Sequence, residues 1–374
     1  MTDYQPNTAG ANRRIRIATA RDEALGPLEL LPGTWANIRP EHRDGSKFKG
    51  VGTLQGKGKS PFDGRGWNLI ALPFAEEGQG RNFRLLMNEY NEVLTFTTVD
   101  EGVPNRGITD DRPAENADQR VAALDYEQTI AQIAAKDISM SGQAGAPELP
   151  IHHEPGFFLH MKEQRINNFD IARLATIPHG NAVTALGRSD QFDGPPSIPD
   201  LSGFPDGVDP NIEDAVSRAT DSGSYLHPYN RFTAEPFTGV VTVPEFPGFS
   251  PANANALLQG GLPDSIVRTT ELLFETDVME GGIVNIPFIE RQADAELMRA
   301  TVWIMELDEE DDDGNPRLVL AYSQFVFLNF FNRFDGRPGL IRWPHISINV
   351  MEKIEEPPQE ETEEMTIAAP REAV

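Results

Sequence analysis

The chain has no cysteine among its 374 residues. Disulfides, thiolate metal sites, iron–sulfur clusters and cysteine nucleophiles are therefore excluded, and the composition fits a cytoplasmic location. No run of about 18 apolar residues occurs, so no membrane insertion is expected. The first residues, MTDYQPNTAGANRRIRIATARDE, lack the apolar stretch of a secretory signal. Positive charge is scarce: 32 Lys and Arg stand against 58 Asp and Glu, a formal net charge of -26. The clustered cations that hold nucleic-acid phosphates are missing, so nucleic acid is not an expected partner. The glycine cluster of residues 50–66, GVGTLQGKGKSPFDGRG, lacks Walker spacing and reads as a hairpin with glycine turns. No Gly-x-Ser-x-Gly elbow is present, which removes the usual serine-hydrolase signature. The acidic run ELDEEDDDGN after Thr301-Val302-Trp303-Ile304-Met305 lacks the alternate aspartates of a calcium loop and is expected to be a solvated hairpin turn.

What the chain does contain is short alternating segments, punctuated throughout by 32 Gly and 30 Pro. Apolar and polar residues alternate, with β-branched and aromatic enrichment, in residues 66–72, 82–89, 92–99, 156–161, 171–177, 265–276, 282–289, 296–306, 317–330 and 345–354. That many strands between turn signals predicts an all-β protein, an antiparallel closed barrel or a sandwich. Helical spacing is read in residues 117–135, through Val121, Leu124, Ile130 and Ile133, and in residues 253–258. Residues 187–262 are rich in Pro, Gly, Asp and spaced Phe, and are expected to pack on the sheet as an arm or lid. The predicted organisation is a flexible segment 1–24, one barrel domain over 25–354 with insertions at about 101–148 and 187–262, and an acidic disordered tail 355–374.

The stretch Ile151-His152-His153-Glu154-Pro155-Gly156-Phe157-Phe158-Leu159-His160-Met161 holds three of the seven histidines. Alternation on a strand places His152, Glu154, Phe158 and His160 on one face and His153 on the other. His152 and His160 would lie roughly 25 Å apart at about 3.3 Å per residue, too far to share one metal. His179, between Pro178 and Gly180, is expected at a turn on the barrel rim. His345 begins the last strand, alternating with Ser347 and Asn349, while Ile346, Ile348 and Val350 take the opposite face. That polar alternation argues against an apolar-facing His345 unless Pro344 turns it inward.

Three patches resemble one known family. Residues 28–35, LELLPGTW, look like the leucine-rich turn and Gly-x-Trp entry of nitrobindin-type haem-binding β-barrels, in the fatty-acid-binding-protein-like (calycin) group. HHEPGFFLHM followed by FDIARLATIPHGN is similar to that family's central hairpin. LVLAYSQFVFLNF with PHISINVMEKI resembles its last two strands. The resemblance implies a calycin barrel that binds haem or another small apolar ligand, with His345 as the axial metal ligand. It further implies Trp35 and Phe158 in the ligand pocket, Arg342 or Arg173 beside a haem carboxylate, and His152, His153 or His179 as distal acid–base groups for peroxidase-like chemistry. The chain departs from the family in length, in Ala36-Asn37-Ile38-Arg39 after the tryptophan, and in Ser347, where the family has a second histidine. Two other readings stay open: a non-haem metal enzyme on His152, Glu154 and His179, and a metal-free carrier or scaffold binding a protein partner, or a second copy, through the Phe/Pro-rich insertion.

Overall fold

The computed structural model describes residues 23–37, 66–75, 83–110, 112–138, 140–163, 165–241, 246–310, 314–330, 333 and 335–355. The expected flexible N-terminus, most of the glycine cluster, the DDD of the acidic turn and the expected acidic tail lie outside them.

Twelve strands join in one antiparallel sheet: β1 Gly33–Ala36, β2 Gly66–Pro73, β3 Phe83–Asn105, β4 Gln119–Ile138, β5 Pro150–Met161, β6 Ile171–Ile177, β7 Asn181–Asp193, β8 Ile266–Glu275, β9 Gly282–Asn285, β10 Asp294–Glu310, β11 Pro316–Asn329 and β12 Arg342–Glu355. β12 pairs with both β1 and β2, and each of these also pairs with β3, so the sheet closes into a ten-stranded barrel. β1 and β2 occupy one strand position in turn. β1 seals the end near Lys353 and β2 the end near Ile346. Closure pairs both sides of the barrel strands, which is how an all-β chain avoids exposed pairing groups, and β9 stands off the barrel, paired with β7 alone among the described strands.

The expected barrel is thus present, with differences in its parts. Residues 117–135 are not helical; they form most of β4. Their buried positions Leu124, Tyr126, Gln128 and Ile130 alternate with exposed Asp125, Glu127 and Thr129. The alanines and glutamines favour a helix locally, but pairing along almost the whole of β3 overrides that preference. The two segments 82–89 and 92–99 are one strand, β3, bulged at Glu89/Tyr90. The supposed insertion 101–148 is therefore largely strand. β7 escaped notice because its polar second half, Arg188-Ser189-Asp190-Gln191, masks the alternation. Residues 282–289 are strand only as far as Asn285; Pro287 opens a short helix, α4 Pro287–Gln292. The expected helix near 253–258 is α3, Ala256–Gly261.

Two cores sit on opposite faces of the same strands. Inside the barrel, Leu94, Phe96, Leu124, Phe158, Ala185, Leu272, Phe274, Ile304 and Leu320 meet the 3-10 turn Glu23–Leu28, whose Leu25 and Leu28 plug one end. Gly26 takes φ +58 there, and a Cβ on it would overlap the His160 ring, so the plug needs glycine at that point. Outside the barrel, residues 194–241 and 246–265 form an arm carrying α1 Ile212–Arg218, α2 His227–Ala234 and α3. Its Phe204, Tyr229, Phe232, Phe237, Phe246 and Phe249 bury against Trp67, Leu69, Met87, Trp343, Ile346, Ile348 and Val350. The arm spends its aromatic residues on its own barrel, so they are not presented to a partner protein.

Candidate functional site

Burial of the outer face under the arm decides where His345 points. Ile346, Ile348 and Val350 face outward into the arm core, which turns His345, Ser347 and Asn349 into the barrel. The sequence argument against an inward His345 assumed an apolar interior. At this end the interior is polar.

Three levels of side chains can be followed from the histidine end downward. At the first, Asn68 of β2 places Nδ2 2.8 Å from His345 Nε2 and 3.2 Å from Ser347 Oγ. An amide nitrogen donates, so Nε2 accepts and the imidazole proton sits on Nδ1. His152 and His179 lie with ring centroids 5.7 Å apart. Burial, and then the charges of His152 and His179, push the His345 pKa down to about 3. Burial followed by His152 lowers His179 as well. His345 is therefore a neutral imidazole at neutral pH, the form that ligates metals.

At the second level Arg173 of β6 reaches across the barrel. Its Nη2 donates to Glu154 Oε1 at 2.5 Å, its Nη1 to Gln324 Oε1 at 2.7 Å and its Nε to the Tyr126 hydroxyl at 3.0 Å. Tyr126 also donates to Glu154, and His152 Nε2 lies 3.2 Å from the second carboxylate oxygen. Burial opposes the Glu154 charge, yet Arg173 and these hydrogen bonds hold its pKa at about 2. Gly156, between Glu154 and Phe158 on the inward face, makes room for the Tyr126 ring that a side chain would strike.

At the third level Glu92 of β3 is buried, and no lysine or arginine among the described residues pairs with it. Gln128 Nε2 donates to it at 2.6 Å and Asn349 Nδ2 at 2.8 Å, and Tyr322 Oη lies 2.6 Å from its Oε2. Tyr322 Oη lies 2.8 Å from Tyr90 Oη, which is 3.1 Å from the carbonyl of Ile348. Asn37 ties this level to the bulge through Tyr90, Glu92 and Asn349. Beside Tyr322, Gln128, Arg173, Tyr126 and Gln324 lies a chamber of about 30 Å³, closed below by Leu94, Phe96, Phe158, Val302 and Leu320.

The structure separates the sequence candidates. His152, His179 and His345 gather at one barrel end, and Arg173 and Phe158 line the interior below them. His153 faces outward, half-exposed and paired with Glu127 at 3.3 Å, so it is no distal group. Arg342 is also outside. It stands three residues before His345, on the opposite face of β12, and pairs there with Glu296 and with Asp206 of the arm. Trp35 lies at the plugged end, donating to the Leu31 carbonyl opposite β12 Lys353, about 25 Å along the strand from His345. Among the described residues no three His, Asp or Glu side chains are grouped to hold a metal. The set His152, Glu154 and His179 fails because Arg173 and Tyr126 already occupy Glu154. Glu92, Tyr322, Gln128 and Asn68 were not foreseen. The available signal was Glu92 standing on the same strand face as Leu94 and Phe96.

The neutrality of His345 has a measurable consequence. Its folded pKa lies below the ordinary 6.5, so the unfolded chain binds the proton first. Its contribution to stability is complete above about pH 6.5 and declines as pH falls toward 3. Histidine NMR should show no His345 titration between pH 5 and 8, whereas a midpoint near 6.5 would contradict the inward placement.

Fold and site define a closed antiparallel β-barrel with a histidine-lined end and a polar interior, a fold that could bind a ligand. No family model and no curated protein matches the chain. Among solved structures it is similar to Rv2717c from M. tuberculosis, at 13% identity and a TM-score of 0.34, covering 88% of this chain and 95% of that one. That score is too low to carry an argument about function. No helix among the described residues is long and apolar enough to cross a membrane.

Proposed function

We propose that the protein binds a flat, largely apolar ligand at the histidine-lined end of the barrel, with haem the preferred ligand and His345 its axial group. What supports this reading is the inward, neutral imidazole of His345, with Val326 paired beside it and His152 and His179 close enough to lower its pKa. The residues fit such a group at one point and constrain it at others. Asn68 must release Nε2 for a metal to take it. The 30 Å³ chamber is far too small for a porphyrin, which would have to sit at the barrel end instead. Neither arginine is free for a haem carboxylate, since Arg173 serves Glu154 and Arg342 serves Glu296. Haem, when bound, supplies gas binding or peroxide chemistry. His152 and His179 are the side chains at that end able to accept or return a proton.

Haem titration of the purified protein tests the reading. A saturable Soret band of one haem per chain is expected, abolished in His345→Ala and sharpened or strengthened in Asn68→Ala, which frees Nε2. A protein that stays colourless, or a band indifferent to His345, removes haem.

A further inference from the structure

The contacts around Glu92 raise a hydrogen count. Three oxygen–oxygen contacts run in series: Glu92 Oε2 to Tyr322 Oη at 2.6 Å, Tyr322 Oη to Tyr90 Oη at 2.8 Å, and Tyr90 Oη to the Ile348 carbonyl at 3.1 Å. Each needs one hydrogen between its oxygens. The tyrosines supply one apiece, and the carbonyl supplies none. An ionised Glu92 leaves one contact with two facing lone pairs. A carboxylic acid fills all three: Glu92 donates to Tyr322, Tyr322 to Tyr90 and Tyr90 to Ile348. The amides of Gln128 and Asn349 still donate to the carboxyl in that arrangement.

The charge balance inside the barrel agrees. Arg173 is matched by Glu154, at 2.5 Å, and among the described residues no lysine or arginine pairs with Glu92. Its neighbours are Tyr90 on its own strand, Gln128 on β4, Tyr322 on β11, Asn349 on β12 and Asn37 after β1, all uncharged, with His152 of β5 acting only from a distance. Burial raises the Glu92 pKa, partly offset by these donors.

Two of the groups on Glu92, Tyr322 and Gln128, also line the 30 Å³ chamber. That volume takes about two water molecules, or a ligand of about three heavy atoms. We propose that Glu92 is a stored proton at the floor of the barrel, made available through Tyr322 to a small oxygen- or nitrogen-bearing acceptor in the chamber. In the transfer the Tyr322 hydroxyl hydrogen turns from Tyr90 to the acceptor and passes to it, while the Glu92 O–H bond breaks and its proton passes to the Tyr322 oxygen. Glu92 is left as a carboxylate receiving three hydrogen bonds, and the acceptor gains one proton. Tyr322 touches the acceptor; Glu92 acts through it. This inference is independent of haem.

Infrared spectroscopy of the full chain without added ligand tests it. A protonated carboxyl band is expected at pH 7, missing in Glu92→Gln, which keeps the side chain's size and a donor toward Tyr322 and whose folding is checked by circular dichroism. In Tyr322→Phe the band should move, because its acceptor is gone. Transfer into heavy water separates a usable proton from a merely buried one. The Glu92 band should shift by exchange through chamber water well before the slowest core amides exchange. A wild-type spectrum identical to Glu92→Gln at pH 7 overturns the stored proton. A band that exchanges only with the slowest amides overturns its availability.

Discussion

Replacing Arg173 with methionine is expected to destabilise the protein by about 3–5 kcal/mol, the usual cost of leaving one member of a buried ion pair uncompensated. Arg173 is 7% exposed and Glu154 2% exposed, so water cannot replace the lost partner. The guanidinium also satisfies Gln324 and Tyr126, and lies 5.4 Å from the centre of the Tyr126 ring and 5.8 Å from that of Phe158. Methionine keeps part of the volume but none of the donors. The double replacement Arg173→Met with Glu154→Gln should recover much of the loss, because no unpaired charge remains. The pH dependence separates charge from packing. Glu154 has its pKa lowered to about 2, so its stabilisation is complete above the ordinary 4.5 and is lost as pH falls through 2. The shift corresponds to about 3 kcal/mol. In Arg173→Met that acid-limb dependence should flatten, since burial alone raises the carboxyl pKa. Urea unfolding at pH 7 and at successively lower pH measures both effects. An Arg173→Met protein as stable as wild type, with an unchanged acid limb, would show that the pair is not buried as described.

Trp343→Ala is expected to cost about 3–5 kcal/mol and to loosen the arm. Trp343 is fully buried at the start of β12. Its ring lies 4.4 Å from Phe83, 5.4 Å from Phe330, 6.0 Å from Tyr225 and 6.5 Å from Tyr229, centre to centre. Phe83 belongs to the barrel and the two tyrosines to the arm, so the indole is the joint between them. Truncation removes the transfer energy of a large side chain and leaves a cavity that the surrounding rings cannot close without moving. The arm should then be cut faster by a protease than the strands it covers. The same loosening bears on the ligand site. Pro344 and His345 follow directly, and the inward aim of His345 depends on Ile346 and Ile348 staying pinned outward. Limited proteolysis alongside chemical unfolding tests this. Loss of stability without faster cleavage of the arm would mean that Trp343 supports only the barrel.

A closed all-β fold could be read from the chain because period-two alternation is local. Strands such as Ile171–Ile177 and Pro316–Asn329 carry it within a few residues. Exclusion of thiol chemistry, of a phosphate loop and of clustered cations was equally local, resting on residue types alone. That His152, Glu154 and Phe158 share one face of their strand also followed from alternation. Tertiary structure decided whatever depended on a distant partner. β4 is a strand because β3 is available to pair with it. His345 faces inward because an arm far away in sequence needs Ile346, Ile348 and Val350. Arg342 falls outside because Glu296 and Asp206 await it there. The Glu92–Tyr322–Tyr90 series is assembled from β3 and β11, separated by 230 residues between Tyr322 and Glu92. Alternation can assign a side chain to a face; only closure of the barrel determines which other faces it meets.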